Sequence, residues 1–403
     1  MRVLFVHQNA PGQFRHLAPH LAAQPGYKVA FLGEGSRPTC PGVGSASYPK
    51  PLPAHGQTHL YLRRMESCVR RGQAVARAVL ELSRKGYTPD LVVAHPGWGE
   101  TMFLREVLPK TRLLSYCEMF YRSEGQDTGF IPETELDLDG KCRLRTWNAD
   151  LLTSLSIMDH GLTPTRWQRD QHPAEFLSRI SVVHEGVDTR EVAPRPDSRF
   201  EAPNSPCFTH GDEVITFVAR DLEPVRGFAM LIRALPYLLR LRPNAHVVIC
   251  GGDGVSYGRK PPCGRTWREA LLRECPIDPA RVHFVGKLTR ARYLDLLRIS
   301  ALHLYLTVPF VLSWSCIEAL ASGCLVLGSD VAPVREVIED GVTGFLTDPR
   351  EPEALAGLAA TLLAQRDQLA PVRRRARELA VARFELRDCL ARQKLLIDQV
   401  LCS

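Results

Sequence analysis

Short apolar runs rich in β-branched residues recur at 2–7, 28–32, 91–94, 112–116, 151–155 and 180–183, separated by longer stretches. One of those stretches, 62–85, sets its apolar residues at helical spacing and stops at Gly86. Strand patterns alternating with helical ones predict a parallel, doubly wound sheet. A polar segment rich in Pro, Ser and Asp, 190–212, interrupts the alternation and reads as a linker. The pattern then restarts, with strands expected at 214–218, 246–250, 282–285, 302–306, 325–327 and 344–346. Helices are expected at 227–240, 266–274, 290–299 and 315–322. The fold class is therefore α/β, two such domains in tandem at 1–195 and 213–382, joined by a linker at 196–212 and leaving a cleft between them.

Composition changes little in this picture. A chain of 403 residues exceeds what one core supports, and 45% hydrophobic with 24% charged residues is ordinary for a globular protein. No run of about 18 uncharged apolar residues occurs and the chain enters a strand pattern directly, so neither secretion nor membrane spanning is expected, and a cytoplasmic location is. Twelve cysteines without a Cys-x-x-Cys pair read as reduced thiols. The net charge of +7 includes arginine clusters at Arg63-Arg64, Arg70-Arg71 and Arg373-Arg374-Arg375. These read as solvated helix faces ahead of a peripheral contact with anionic lipid on the inner face of a membrane.

In open α/β sheets, ligands sit beyond the carboxyl ends of the strands. In the first half those positions are His7-Gln8, His95 with Trp98-Gly99-Glu100, Cys117-Glu118 and His184-Glu185-Gly186. In the second they are Arg220, Gly251-Gly252, Gly286-Lys287, the loop at Phe310 and Asp330. The stretch from Phe310 to Asp330 reads as a loop, a helix opening on small polar residues, then a buried strand. That layout builds an anion site at a helix N-terminus.

This stretch resembles the nucleotide-sugar-binding segment of retaining glycosyltransferases of the GT-B fold, family 4. In that family two glutamates eight positions apart flank the donor; here the second is Glu318 and Phe310 stands at the first. Phe217-Val-Ala-Arg220-Asp-Leu-Glu-Pro-Val-Arg226-Gly227 is similar to the family's strand and its pair of cations that grip the donor diphosphate, with Arg226 where Lys is usual. Val282-His-Phe-Val-Gly286-Lys-Leu288 resembles the segment lining the base, and Asp330 to Gly344 the turn that follows. The first half is similar to one branch of these enzymes at Val6 to Arg15, Pro89 to Glu100, Tyr116 to Tyr121 and Pro164 to Gln168. The resemblance implies two Rossmann-like domains in a GT-B arrangement, with a last helix in 383–403 packing back on the first.

It further implies that Arg220 and Arg226 stabilise the leaving diphosphate, and that Leu312, Ser313, Trp314 and Ser315 surround it, with backbone N–H groups and the two serine hydroxyls as donors. Glu318 would accept the ribose hydroxyls, its alternative being a helix-surface carboxylate. Gly252, Gly286 and Leu288 would line the nucleotide. A phenyl ring at Phe310 accepts no hydrogen bond, so either the sugar is less polar, such as a deoxy sugar, or another residue supplies the carboxylate, or catalysis is impaired; the ring itself also offers a face for stacking on a sugar. Glu118 is the first candidate, its alternative being an ion pair with Arg122. His95 either faces the cleft or packs against Trp98, and Gly12 either allows close approach of a ligand or makes a plain turn.

Other signals carry less. The triple-glycine dinucleotide fingerprint is missing from the first turn, which holds only Gly12. Gly254-Val-Ser256-Tyr-Gly258 matches a hydrolase pattern without the required strand-to-helix turn; with Pro261-Pro262 just after, it reads as a flexible loop. Glu135 to Gly140 reads as an exposed loop and not a calcium site, Thr146 standing where a closing Glu belongs. The expected function is metal-independent retaining transfer of a sugar from a UDP- or GDP-sugar, with no other cofactor, to a sugar, lipid-linked, protein or small-molecule acceptor. Nucleic acid is not an expected partner. The alternatives are an impaired nucleotide-sugar-binding subunit and a nucleotide-sugar epimerase.

Overall fold

A computed structural model describes residues 1–35, 40–202, 205–261 and 264–402. The chain divides into two units. The first comprises Met1–Ser123, Leu136–Gly186 and the chain from Leu386 onward; the second comprises Glu124–Glu135 and Val187–Glu385.

The first unit holds a seven-stranded parallel sheet of β1 (Arg2–Val6), β2 (Lys28–Glu34), β3 (Gly44–Tyr48), β4 (Leu91–Ala94), β5 (Arg112–Tyr116), β6 (His160–Thr163) and β7 (Ile180–Val182). Their order is β3-β2-β1-β4-β5-β6-β7. Val3 and Phe5 of β1 face a core shared with the helices Leu17–Ala22 and Leu386–Cys402, while Leu4 and Val6 face Val75 and Val79 of the helix Arg63–Arg84. A strand covered on both sides reads as an unbroken apolar run. The final helix is held in this unit by Tyr27, whose phenol donates to Asp398, and by Gln393, whose Nε2 donates to the His184 carbonyl at 2.9 Å.

Two expectations fail here. Residues 151–155 are not a strand but part of the helix Leu138–Ile157, and the strand lies further on, at β6. The buried positions Asn148, Leu151 and Leu155 recur at helical spacing, and the polar members of that face conceal it. Ser154 is satisfied there by the Asp150 carbonyl at 2.9 Å and by Thr101 at 2.7 Å. The segment 135–140 is no free loop either, since Asp137 caps this helix by accepting from the Gly140 N–H at 2.7 Å.

The second unit holds β8 (Arg199–Glu201) and β9 (Cys207–Thr209), an antiparallel pair, and a six-stranded parallel sheet. That sheet contains β10 (Val214–Asp221), β11 (His246–Gly252), β12 (Val282–Gly286), β13 (Leu302–Tyr305), β14 (Val326–Ser329) and β15 (Phe345–Thr347), in the order β12-β11-β10-β13-β14-β15. The stretch 196–212 is thus not a linker; its residues 203 and 204 lie outside the described residues. Phe200 and Phe208 pair across β8 and β9 and bury against Val214, Val248, Leu296 and Ile299. The unit boundary falls at Gly186–Val187, short of the expected 195.

The arginine clusters are not merely solvated faces. Arg64 donates to the Gly97 carbonyl at 2.6 Å and sits 3.7 Å from the buried Asp150; Arg71 pairs with Glu34 at 2.9 Å. Arg375 donates to the Val342 carbonyl at 3.2 Å. The eleven described cysteines are free thiols; Cys263 and Pro262 lie outside the described residues. Among the described residues no helix is long and apolar enough to cross a membrane.

Candidate functional site

Each parallel sheet reverses its strand order once, and the crevice at that reversal is where α/β sheets bind ligands. In the first sheet it lies between β1 and β4, whose next residues are His7 and His95. Both rings are buried, and they meet edge to face at 5.3 Å. His95 stacks on Trp98 at 4.6 Å. Its Nδ1 accepts from the Gly97 N–H at 3.0 Å, so Nε2 carries the proton and donates to Glu118 at 3.1 Å. The second Glu118 oxygen accepts from Gln13 at 3.0 Å, and the Gln168 amide holds the Glu118 backbone carbonyl at 2.8 Å.

Glu118 is therefore not paired with Arg122, which donates to the Gln171 and Asp170 carbonyls. Burial pushes the Glu118 carboxyl up, but the His95 and Gln13 bonds outweigh it and leave it below the usual range. Burial, with the neighbouring His95, lowers His7 to about 3, so that ring is neutral. Gly12 adopts φ +51°, and a Cβ there would stand 2.7 Å from His7 Nε2, so close approach to a ring of its own unit, rather than a plain turn, demands glycine. Glu100, fully buried, accepts from the Gln8 N–H at 3.1 Å and is pushed up to about 6 by burial.

In the second sheet the reversal lies between β10 and β13. Arg220 stands near the end of β10, and Arg226 closes the short turn that follows. Gly227 adopts φ +84°, where a Cβ would stand 2.4 Å from the Leu306 carbonyl oxygen; only glycine fits, which fixes the turn presenting Arg226. Arg226 donates to the Val311 carbonyl at 2.8 Å, and its guanidinium carbon lies 4.8 Å from the Tyr257 ring and 5.1 Å from the Phe310 ring. Arg220 lies over the same tyrosine at 5.9 Å. Phe310 is 5% exposed, met by Arg226 and, edge to face at 5.2 Å, by Tyr257, so it offers no free face for stacking on a sugar.

The loop at 254–258 is pinned, not flexible. The buried Glu223 accepts from the N–H groups of Ser256 (3.4 Å), Tyr257 (3.2 Å) and Gly258 (2.8 Å), and the Ser256 hydroxyl donates to Asp221. Asp221 also pairs with Lys287 at 2.9 Å; burial raises its carboxyl, but Ser256 and Lys287 outweigh that and leave it lowered. The Lys287 stem crosses Gly252, where a Cβ would stand 2.5 Å from Lys287 Cε, and Gly286 turns with φ +65°.

Ser313 caps the helix Trp314–Ala321, accepting from the Ser315 N–H at 3.3 Å and the Ser315 hydroxyl at 3.0 Å, while its own N–H donates to Tyr305 at 2.8 Å. Trp314 is partly buried, and Leu312 packs against the core under that helix. Glu318 is buried, receiving Arg290 on one oxygen and the Tyr293 hydroxyl at 2.6 Å on the other, which excludes a helix-surface carboxylate. Leu288 packs with the core beneath β8 and β9.

The structure thus gathers Gly12, His95 and Glu118 at one crevice, and Arg220, Arg226 and Phe310 at the other. Sequence reading missed Gln13, Glu223, Tyr257, Arg290 and Tyr293. The one available signal was the pair Asp221 and Glu223 at a strand end ahead of a glycine-rich loop.

Comparison with known proteins agrees with this architecture. Residues 25–192 match the glycosyl transferase family 4 group and 198–379 match glycosyl transferases group 1. A D-inositol 3-phosphate glycosyltransferase of Nocardia farcinica is 31% identical over 196 residues, 47% of this chain and 41% of that one, so the match spans about two fifths of that relative. Two solved structures share the fold across nearly their whole lengths. Sucrose-phosphate synthase from Thermosynechococcus elongatus has a TM-score of 0.73 at 18% identity, covering 100% of this chain and 99% of its own. Anabaena HepE, solved with UDP-glucose, has a TM-score of 0.69 at 15% identity, covering 99% and 100%. With two parallel-sheet units and both family models in tandem, the chain belongs to the group 1 glycosyltransferases of the GT-B fold.

Proposed function

We propose that the protein is a retaining glycosyltransferase that takes a nucleoside-diphosphate sugar on its second unit and transfers the sugar to a hydroxyl acceptor. One observation carries this reading. Arg220 and Arg226 share one aromatic ring at the reversal point of the second sheet, and among the described residues neither guanidinium has a carboxylate partner. Two uncompensated cations at such a crevice suit a dianion, and their stabilisation strengthens as the diphosphate gains charge on leaving. Glu318 then accepts the ribose hydroxyls, since each carboxylate oxygen keeps a lone pair beyond those used by Arg290 and Tyr293. The departing phosphate takes the acceptor proton. Glu118, ionised and held by His95 and Gln13, orients a sugar hydroxyl on the first unit. UDP-glucose, held by the Anabaena neighbour, is the first donor to try, with GDP-sugars next, and the inositol phosphate in the Nocardia relative's name makes a phosphorylated polyol the first acceptor.

A thermal-shift screen against UDP, GDP, ADP, dTDP and their sugars names the donor, because a ligand bound only to the folded state raises its melting temperature. With that donor, Arg220→Ala and Glu318→Ala are expected to abolish transfer with the fold intact; full turnover in both overturns the assignment. Phe310 favours a second reading, a nucleotide-sugar-binding subunit without turnover, because its buried ring supplies no acceptor for sugar hydroxyls. Donor binding with neither transfer nor hydrolysis supports that reading.

A further inference from the structure

We propose that Tyr257 is a positioning residue for the donor diphosphate, its ring setting the guanidinium groups of Arg220 and Arg226; this rests on the donor-site reading above. Tyr257 is 39% exposed, so burial of its ring does not by itself account for its placement. Its backbone is nonetheless held firmly. Glu223 accepts from three consecutive N–H groups around it, and Asp221 receives the hydroxyl of the preceding Ser256. Asp221 at the end of β10 and Glu223 just beyond it therefore fix the backbone that carries the ring.

What the ring meets is a pair of like charges. Arg226 lies 4.8 Å and Arg220 5.9 Å from its centre, both within the reach of a cation–π contact. Phe310 stands edge-on to Tyr257 at 5.2 Å and 5.1 Å from the Arg226 carbon, and the Val311 carbonyl takes one Arg226 N–H. Arg226 is thus restrained by two rings and one hydrogen bond while the rest of its five donors stay available. Phe310 adds no negative charge, so the charge of Arg226 is left for a ligand. Without the tyrosine ring the two cations repel and sample many rotamers, and ordering them falls on the ligand.

The test uses the full chain, with calorimetry for UDP and GDP and ligand-observed NMR for uridine and guanosine. Tyr257→Ala is expected to weaken the diphosphate roughly ten-fold, the size of a partly desolvated cation–π contact, while nucleoside binding stays unchanged. Tyr257→Phe, which keeps the ring, binds like wild type. In an Arg226→Ala background Tyr257→Ala loses most of its effect. Unchanged diphosphate affinity in Tyr257→Ala, or equal losses for diphosphate and nucleoside, overturns the assignment of Tyr257 alone. Wild-type protein that binds neither UDP nor GDP overturns the donor-site reading itself.

Discussion

Replacing Glu223 by Ala tests whether the loop that carries Tyr257 is clamped by one buried carboxylate. The Gly258 N–H at 2.8 Å makes a full charge-assisted bond, the Tyr257 N–H at 3.2 Å a weaker one, and the Ser256 N–H at 3.4 Å adds little. A hydrogen bond to a charged group contributes about 1.5–3 kcal/mol, so the clamp amounts to about two such bonds, or about 3 kcal/mol at the lower end. Alanine leaves the Tyr257 and Gly258 N–H groups, which share one Glu223 oxygen, without that acceptor beneath the loop. With a urea dependence of about 2 kcal/mol per molar for a domain of this size, the second unit should unfold about 1.5 M earlier. Urea unfolding read by hydrogen exchange separates the two units. It should show the shift in peptides of β10 and β11 and none in β1 to β5, with early exchange of the 256–258 amides under native conditions. A second-unit midpoint that moves by less than about 0.3 M would refute the clamp.

Two further outcomes follow from single positions. Gly227→Ala places a Cβ 2.4 Å from the Leu306 carbonyl oxygen at φ +84°, so it should cost the second unit at least the 1–2 kcal/mol of a left-handed residue and weaken UDP binding by displacing Arg226; an unchanged melting temperature would contradict this. His7 is lowered from 6.5 to about 3, so the unfolded chain takes the proton first; its contribution is full above pH 6.5 and is lost as pH falls toward 3, by at most about 1.4 kcal/mol per pH unit. His7→Asn, which keeps an acceptor for the Asn9 N–H, should flatten that slope in urea titrations of the first unit; Glu100, raised to about 6, has the opposite slope between 4.5 and 6 and cancels in the comparison.

The central strands were legible because two-sided burial leaves no polar positions to confuse their pattern, as in β1, β4 and β10. The edges were not. β3 is Gly-Ser-Ala-Ser-Tyr, and β8 and β9 lie among prolines and charges, so their apolar content falls below any pattern threshold. The Arg226-Gly227 turn was readable because a left-handed glycine has a local cause. The contact of Tyr257 with Arg226 was not, since it depends on a carboxylate 35 residues away from the loop it holds. The alternative Glu118–Arg122 pair does not form, because 117–122 has no regular secondary structure to bring residues four apart onto one face.

The two crevices share one strand order but carry opposite electrostatics, and this follows from which partners each charge has. In the first unit the glutamate accepts from His95 Nε2, whose tautomer the Gly97 N–H fixes, and from Gln13, so its negative charge is hydrogen-bonded. Such a carboxylate accepts from hydroxyl groups. In the second unit, among the described residues, the two cations meet aromatic rings and a carbonyl and pair with no carboxylate, so their positive charge stays uncompensated. Had Phe310 been a carboxylate beside Arg226, part of that charge would be cancelled before any ligand arrived. On the proposed donor-site reading, the ring trades a hydrogen-bond acceptor for a stronger anion site, and donor affinity should depend more on the diphosphate and less on sugar hydroxyls near residue 310.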